Sequence, residues 1–171
     1  IKYYSNKLSD LVDEKLDEHN ARYVDLVGYS MGGLISRWYV QDTNNNKVRN
    51  LIQISTPNHG AIIMSNVLFK AYEWIFNIID PENNDINWHT VIATSQMTYH
   101  SNFIYDLNSY LGIFSNNENV NYKVDYNMIG GDKTGALGFL IPGPDDSVVE
   151  ETSLRIYNDH VSDPVIGYLN H

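Results

Sequence analysis

Cysteine is absent from the 171 residues, which excludes both a disulfide framework and a thiolate nucleophile. A chain of this length does not need covalent staples, so the absence leaves the compartment open, secretion included. Positive charge is scarce too. Eleven Lys and Arg stand against 21 Asp and Glu, a formal net charge of −10, which disfavours nucleic acid and strongly anionic surfaces as partners. A neutral or apolar substrate suits such a surface better. No apolar run is long enough to cross a bilayer: in the greasiest stretch, residues 62–79, Asn66, Lys70, Glu73 and Asn77 recur at helical spacing as one narrow polar stripe. His89 and His100 have no metal-ligand spacing with carboxylates, and neither a metal nor another cofactor is expected. The chain also lacks an initiator methionine and a signal-like start. Its first element reads as a helix and is followed almost at once by a strand needing neighbours on both sides, so further residues are expected upstream of Ile1.

What is present is a chain that is 43% hydrophobic, enough to bury one good core, and a single domain over residues 1–171 is expected, with a helical insertion over about 61–112. The stretch that organises it is Tyr23-Val24-Asp25-Leu26-Val27-Gly28-Tyr29-Ser30-Met31-Gly32-Gly33. An apolar run breaks into Gly-x-Ser-x-Gly and then into a segment whose Leu34, Ile35 and Trp38 make an apolar helix face. This reads as a buried strand, a sharp turn and a helix from about Met31 to Gln41. Such a turn lifts a serine hydroxyl out of the sheet edge, and Gly28 and Gly32 supply the small residues two places either side of Ser30. The helix would aim its positive end at an oxygen that becomes charged when Ser30 attacks a carbonyl, with the Met31 backbone amide as first oxyanion donor.

Before that stretch, Tyr4, Leu8, Leu11, Val12 and Leu16 share one face of a first helix. After it, Asp42 to Asn46 make a polar turn, and the strand centred on Leu51-Ile52-Gln53-Ile54 belongs beside the first in a parallel sheet. It ends in Thr56-Pro57-Asn58-His59-Gly60, at the rim where ligands bind in open α/β sheets. His59 is therefore a rival general base, although a histidine in so tight a loop more often fixes the loop by hydrogen bonds.

Two passages, Val24 to Arg37 and Leu51-Ile52-Gln53-Ile54-Ser55-Thr56-Pro57-Asn58-His59-Gly60-Ala61, together resemble the α/β-hydrolase lipases of the triacylglycerol lipase and lipase-like acyltransferase group, in their carboxyl-terminal portion. The resemblance implies an α/β-hydrolase fold, a mostly parallel sheet with flanking helices, and hydrolysis of carboxylic esters by a Ser-Asp-His triad through an acyl-enzyme. Residues 62–79 are then either a buried helix covering the core or a lid over the acyl site that touches a lipid interface. Ser101 reads as the cap of a helix carrying Phe103, Ile104, Leu107 and Leu111.

The sheet resumes near Asn121 and runs into Gly130-Gly131-Asp132. Of the aspartates that follow this strand, Asp146 best resembles the family's acid loop, in Asp146-Ser147-Val148-Val149, with Ser147 replacing the commoner glycine; Asp145 and Asp132 are the alternatives. Leu154 to Tyr157 reads as the last strand, and Ser162-Asp163-Pro164 as the start of a final helix. His160, between them, stands where the base of such a triad belongs; His171, the last residue after that helix, is its rival. Two other activities are compatible with the pattern: acyl transfer by the same triad, and a non-catalytic apolar-ligand module without a complete oxyanion hole. The second oxyanion donor, normally on a loop after an earlier strand, is not found in these residues.

Overall fold

The computed structural model describes residues 1–42, 46–61, 92–93, 95–108, 118, 120–131 and 151–167. The first helix, α1 (Lys2–Glu18), forms as its periodicity predicts and buries Val12 to 3% exposure; Leu11 stays half exposed because it lies on the flank of the apolar face. It stops in a left-handed residue, Asn20 at φ 47°. Asn20 donates its amide to Asp17 O and Ala21 to Leu16 O, the paired bonds that satisfy the last carbonyls of a helix.

Next come β1 (Val24–Tyr29), α2 (Met31–Asp42) and β2 (Val48–Ile54). A short helix, α3 (Asn102–Asn108), and β3 (Asp125–Gly131) follow; a helical turn, α4 (Glu151–Leu154), and β4 (Val165–Gly167) complete the described elements. The four strands pair in chain order and all run parallel. Their carboxyl ends therefore meet at one edge, where Tyr29, Ile54 and Ile129 stand in register.

Alternation along the strands sorts the residues. Leu51, Tyr126 and Met128 point to the face covered by α1 and α2, and there join Val12, Tyr39, Val40, Val48, Val124 and Ile156 in the main core. Leu51 is fully buried, which contributes about 2–3 kcal/mol relative to exposure. A second cluster joins Leu34 of α2 to Met97, Phe103, Ile104 and Leu107, with the Trp38 and Phe103 rings 5.3 Å apart. Ser101 caps α3 as expected, its hydroxyl accepting the Ile104 amide at 3.2 Å.

The carboxyl-terminal part departs from the sequence-based expectation. Residues 151–154 form a helical turn, Arg155 to Asn158 form no strand, and the last strand is Val165–Gly167, where a helix was expected after Ser162. The misleading signal was the alternation in Leu154-Arg155-Ile156-Tyr157. Leu154 and Ile156 are buried, but they serve as packing under β3 rather than as a strand of the sheet: a Cβ on Gly130 would lie 2.2 Å from the Leu154 side chain. Residues 62–79, Asp132, Asp145, Asp146 and His171 lie outside the described residues.

Candidate active site

Ser30 sits between the last residue of β1 and the first of α2 with φ at 49°, a left-handed backbone that a β-carbon makes costly. The turn is tied at both ends. The Ser30 amide donates to Ile54 O at 2.9 Å and extends the β1–β2 ladder by one residue, while the Gly33 amide donates back to Ser30 O at 3.0 Å. A Cβ on Gly28 would lie 2.6 Å from Gly33 Cα, so Gly28 is required by close approach of strand and helix. Gly32 is not: nothing stands within 4 Å of the corresponding position there. The second obligatory glycine is Gly33, whose Cβ would meet Thr56 Oγ1 at 1.9 Å. Met31 opens α2, so its amide has no carbonyl one turn back to receive it. The Ser30 side chain is half-buried.

Behind this corner lies a polar floor that the apolar patterning hid. Gln53 and Asn58 exchange side-chain hydrogen bonds, with Asn58 Nδ2 donating to Gln53 Oε1 at 3.1 Å and Gln53 Nε2 to Asn58 Oδ1 at 3.2 Å. Gln53 also donates to Gly33 O at 3.1 Å, which clamps the first turn of α2 to β2. Asn58 donates to Leu154 O at 2.7 Å, and Arg37, fully buried, donates to Asn58 Oδ1 at 3.1 Å. The Arg37 guanidinium lies 3.6 Å from the buried Glu118 carboxylate. Burial pulls its pKa below the ordinary arginine value while Glu118 opposes the shift. A glutamine inside an apolar strand and an arginine on an apolar helix face were the available signals.

The predicted residues are distributed as follows. His59 is held in its loop: its Nε2 lies 2.9 Å from Glu118 Oε1, its amide donates to Ser153 O at 3.2 Å, and its ring packs edge-on against Tyr157. The backbone amide and the ring contact tie His59 to Ser153 and Tyr157, while its Nε2 makes no hydrogen bond among the described residues. His160 was expected at the rim with Ser30, and the structure does not bring the two together. Its ring packs against Tyr122, 5.3 Å between centroids, and its amide donates to Asn158 Oδ1 at 2.9 Å. Tyr122 precedes β3, whose first residue Asp125 stands level with Asn50 and so with Asp25, five residues before Ser30. That is about 16 Å along a parallel strand. The physical reason is the shifted last strand: His160 leads into β4 instead of following the final strand, and so belongs to the amino edge of the sheet.

Among the described residues no group of three or more His, Asp or Glu could hold a metal ion, and no helix is long and apolar enough to cross a membrane.

The sequence model of the family described as palmitoyl protein thioesterase matches residues 2–150. No curated protein matches the chain in sequence. Among solved structures, the mature form of the Bacillus licheniformis lipase BlEst2 superposes with a TM-score of 0.62 at 21% identity, covering 94% of this chain and 63% of that one. Its propeptide form gives 0.67 at 22% identity, covering 99% and 36%. The phospholipase PlaB from Legionella pneumophila gives 0.59 at 13%, covering 89% and 33%. The chain thus spans less than two thirds of each of these structures, and the likeness shows the fold they share, the α/β-hydrolase fold.

Proposed function

Because the chain belongs to the palmitoyl protein thioesterase family, among the lipase-like α/β-hydrolases, we propose that it cleaves acyl esters through a covalent intermediate on Ser30. The observation that carries this reading is the strained, half-buried Ser30 on a tight strand-to-helix turn with no room for side chains at Gly28 and Gly33. Strain of that kind persists where the surrounding structure over-determines it, and here it presents a hydroxyl at the ligand-binding edge of a parallel sheet.

In the proposed reaction a histidine takes the Ser30 proton as the oxygen attacks the acyl carbonyl. The tetrahedral oxyanion faces the Met31 amide and the positive end of α2. The histidine then protonates the departing alcohol or thiol, and water reverses the sequence to free the acid. Asp146, in the chain between β3 and α4, orients the imidazole. For the base, chain order offers His160 and His171. The packing of His160 on Tyr122 argues against it, whereas β4 delivers the chain at Gly167 to the same edge as Ser30, four residues before His171. We therefore favour His171.

The substrate is a lipidic oxyester or, as the family's description suggests, a long-chain thioester. Both react through the same acyl-enzyme. The test is labelling with a fluorophosphonate, followed by hydrolysis of a 4-nitrophenyl ester and of a long-chain acyl thioester by the unaltered protein and Ser30→Ala. Labelling at Ser30 and turnover lost in the variant are expected. Lipid binding without labelling or turnover would instead identify a ligand-binding module, and product esters formed with added alcohols would identify acyl transfer.

A further inference from the structure

At the amino edge of the sheet, opposite Ser30, three consecutive strands each bring a cation. Arg22 stands two residues before β1, Arg49 is the second residue of β2, and Lys123 stands two residues before β3. Because the strands pair in the order β1, β2, β3, Arg22 and Lys123 flank Arg49 from strands about 10 Å apart. The three line an open cleft of about 500 Å³ together with Tyr23, Asn46 and Val48. None of these lining residues is acidic, in a chain whose 11 Lys and Arg stand against 21 Asp and Glu. One row further into the sheet are the carboxylates of Asp25 and Asp125, both level with Asn50. Three cations against two carboxylates leave an excess of one positive charge here, where the whole chain carries −10.

Each cation is held in place with donors to spare. Arg49 gives Nε and Nη2 to Asp25, at 3.2 and 2.7 Å, which leaves Nη1 uncommitted among the described residues. Lys123 Nζ donates to the neutral Asn46 Oδ1 at 2.8 Å and keeps two of its three donors. The Arg22 guanidinium sits over the Tyr23 ring, 5.1 Å from its centroid, and makes no hydrogen bond or ion pair among the described residues. Two guanidinium forks and an ammonium around one opening match the oxygens of a phosphate group. The cleft is larger than phosphate alone requires, and the half-exposed Tyr23 ring offers apolar surface to an organic substituent. We propose that this edge holds a second, non-catalytic site, which takes the phosphate group of a phosphate monoester. Val24, the strand residue beside the cleft, precedes Ser30 by six residues, about 20 Å along β1. A ligand bound here does not meet the Ser30 hydroxyl, and the assignment is independent of the hydrolase reading.

The experiment titrates inorganic phosphate and phenyl phosphate, at an ionic strength held constant with chloride, into the unaltered protein, Arg22→Gln, Lys123→Gln and the double variant, read by amide NMR. A second arm measures co-sedimentation with phosphatidylcholine vesicles with and without phosphatidic acid. Saturable shifts at Arg22, Tyr23, Arg49 and Lys123 are expected in the unaltered protein. Each single variant should bind about tenfold more weakly, the loss of one charge-assisted hydrogen bond, and the double variant should not saturate. The substituted side chains are on the surface, and unchanged spectra away from the cleft verify that the variants are folded. Saturation by the soluble phosphates identifies a free phosphate monoester as the ligand. Sedimentation only with phosphatidic acid, lost in the double variant, identifies a lipid headgroup in the same site. Shifts no larger than those from chloride together with no sedimentation, or equal affinity in the unaltered protein and the double variant, overturn the site.

Discussion

Gly33 packs directly beneath Thr56: a β-carbon on it would stand 1.9 Å from the Thr56 hydroxyl oxygen and 2.8 Å from two Thr56 carbons. The Thr56 side chain therefore lies directly against the backbone of the first turn of α2, and it does so one residue beyond the glycine that the Gly-x-Ser-x-Gly pattern singles out. Gly33→Ala is expected to destabilise the protein by about 1–3 kcal/mol through overpacking and to displace Ser30. Gly32→Ala meets nothing within 4 Å and should be neutral or stabilising by up to about 1 kcal/mol, since alanine is the better helix former. Urea unfolding of the two variants separates them, and equal losses would contradict the packing described here.

The strain at Ser30 makes a second prediction with opposite signs in two measurements. A left-handed residue with a β-carbon costs on the order of 1 kcal/mol or more, and glycine relieves it. Ser30→Gly should therefore raise the melting temperature by about 2–4 °C while abolishing ester turnover. Ser30→Ala should abolish turnover without the thermal gain. Were the glycine variant no more stable than the alanine variant, the turn would not be strained.

How far the sequence could be read depended on the range of the interactions involved. The stretch from β1 to β2 was legible because its signals are local: an apolar run, a glycine-flanked turn, a helix period, a second apolar run. Ser30, the Ser101 cap and the buried Phe103, Ile104 and Leu107 followed from those patterns. The carboxyl-terminal part was not legible. Alternation in Leu154-Arg155-Ile156-Tyr157 imitates a strand, but the two buried residues pack under Gly130 and in the main core, and the ladder with β3 is made instead by Val165 to Gly167. Pro164 before that strand was read as a helix start, a position where its missing amide is equally harmless. The Arg37–Asn58–Gln53 floor was hidden because burial of polar groups is decided by partners distant in sequence.

That floor yields a third prediction. Arg37 is fully buried and lies 3.6 Å from Glu118, itself 6% exposed. Arg37→Met leaves the carboxylate buried with its cation gone, and the loss should be about 3–5 kcal/mol. Glu118→Gln in the same background removes the stranded charge and should recover part of it. A double-mutant cycle in guanidinium chloride measures the coupling; additive effects would show that the pair does not interact.

Asp25, on the exposed side of β1, supplies a pH prediction. Hydrogen bonds from Arg49, at 2.7 Å and 3.2 Å, and from Asn50 hold its carboxyl below the usual value of 3.8. A group whose folded pKa is depressed adds stability that is present above its unfolded pKa and is lost as the pH falls through the folded one. The loss should therefore set in below about pH 3.8. Asp25→Asn should flatten the acid limb of the stability profile in that window and leave its slope at neutral pH unchanged. A carboxyl titration by NMR that found Asp25 at or above its ordinary value would refute this.

The choice between the two histidines is open to the most direct test. If His160 were the base, it would have to leave Tyr122 and cross the length of β3 to meet Ser30, and the tie between its amide and Asn158 Oδ1 would have to break. Val161 beside it packs against the main core and anchors it where it is. His160→Ala should thus keep kcat within about threefold, whereas His171→Ala should lower it at least about a thousandfold, as removal of a triad base does. Fluorophosphonate labelling should slow to the same extent in the second variant, because the base is needed for serine attack on the probe as well as on an ester. A dead His160→Ala enzyme that remains folded by circular dichroism would mean that the amino-edge position of this loop is not the one in which the protein works.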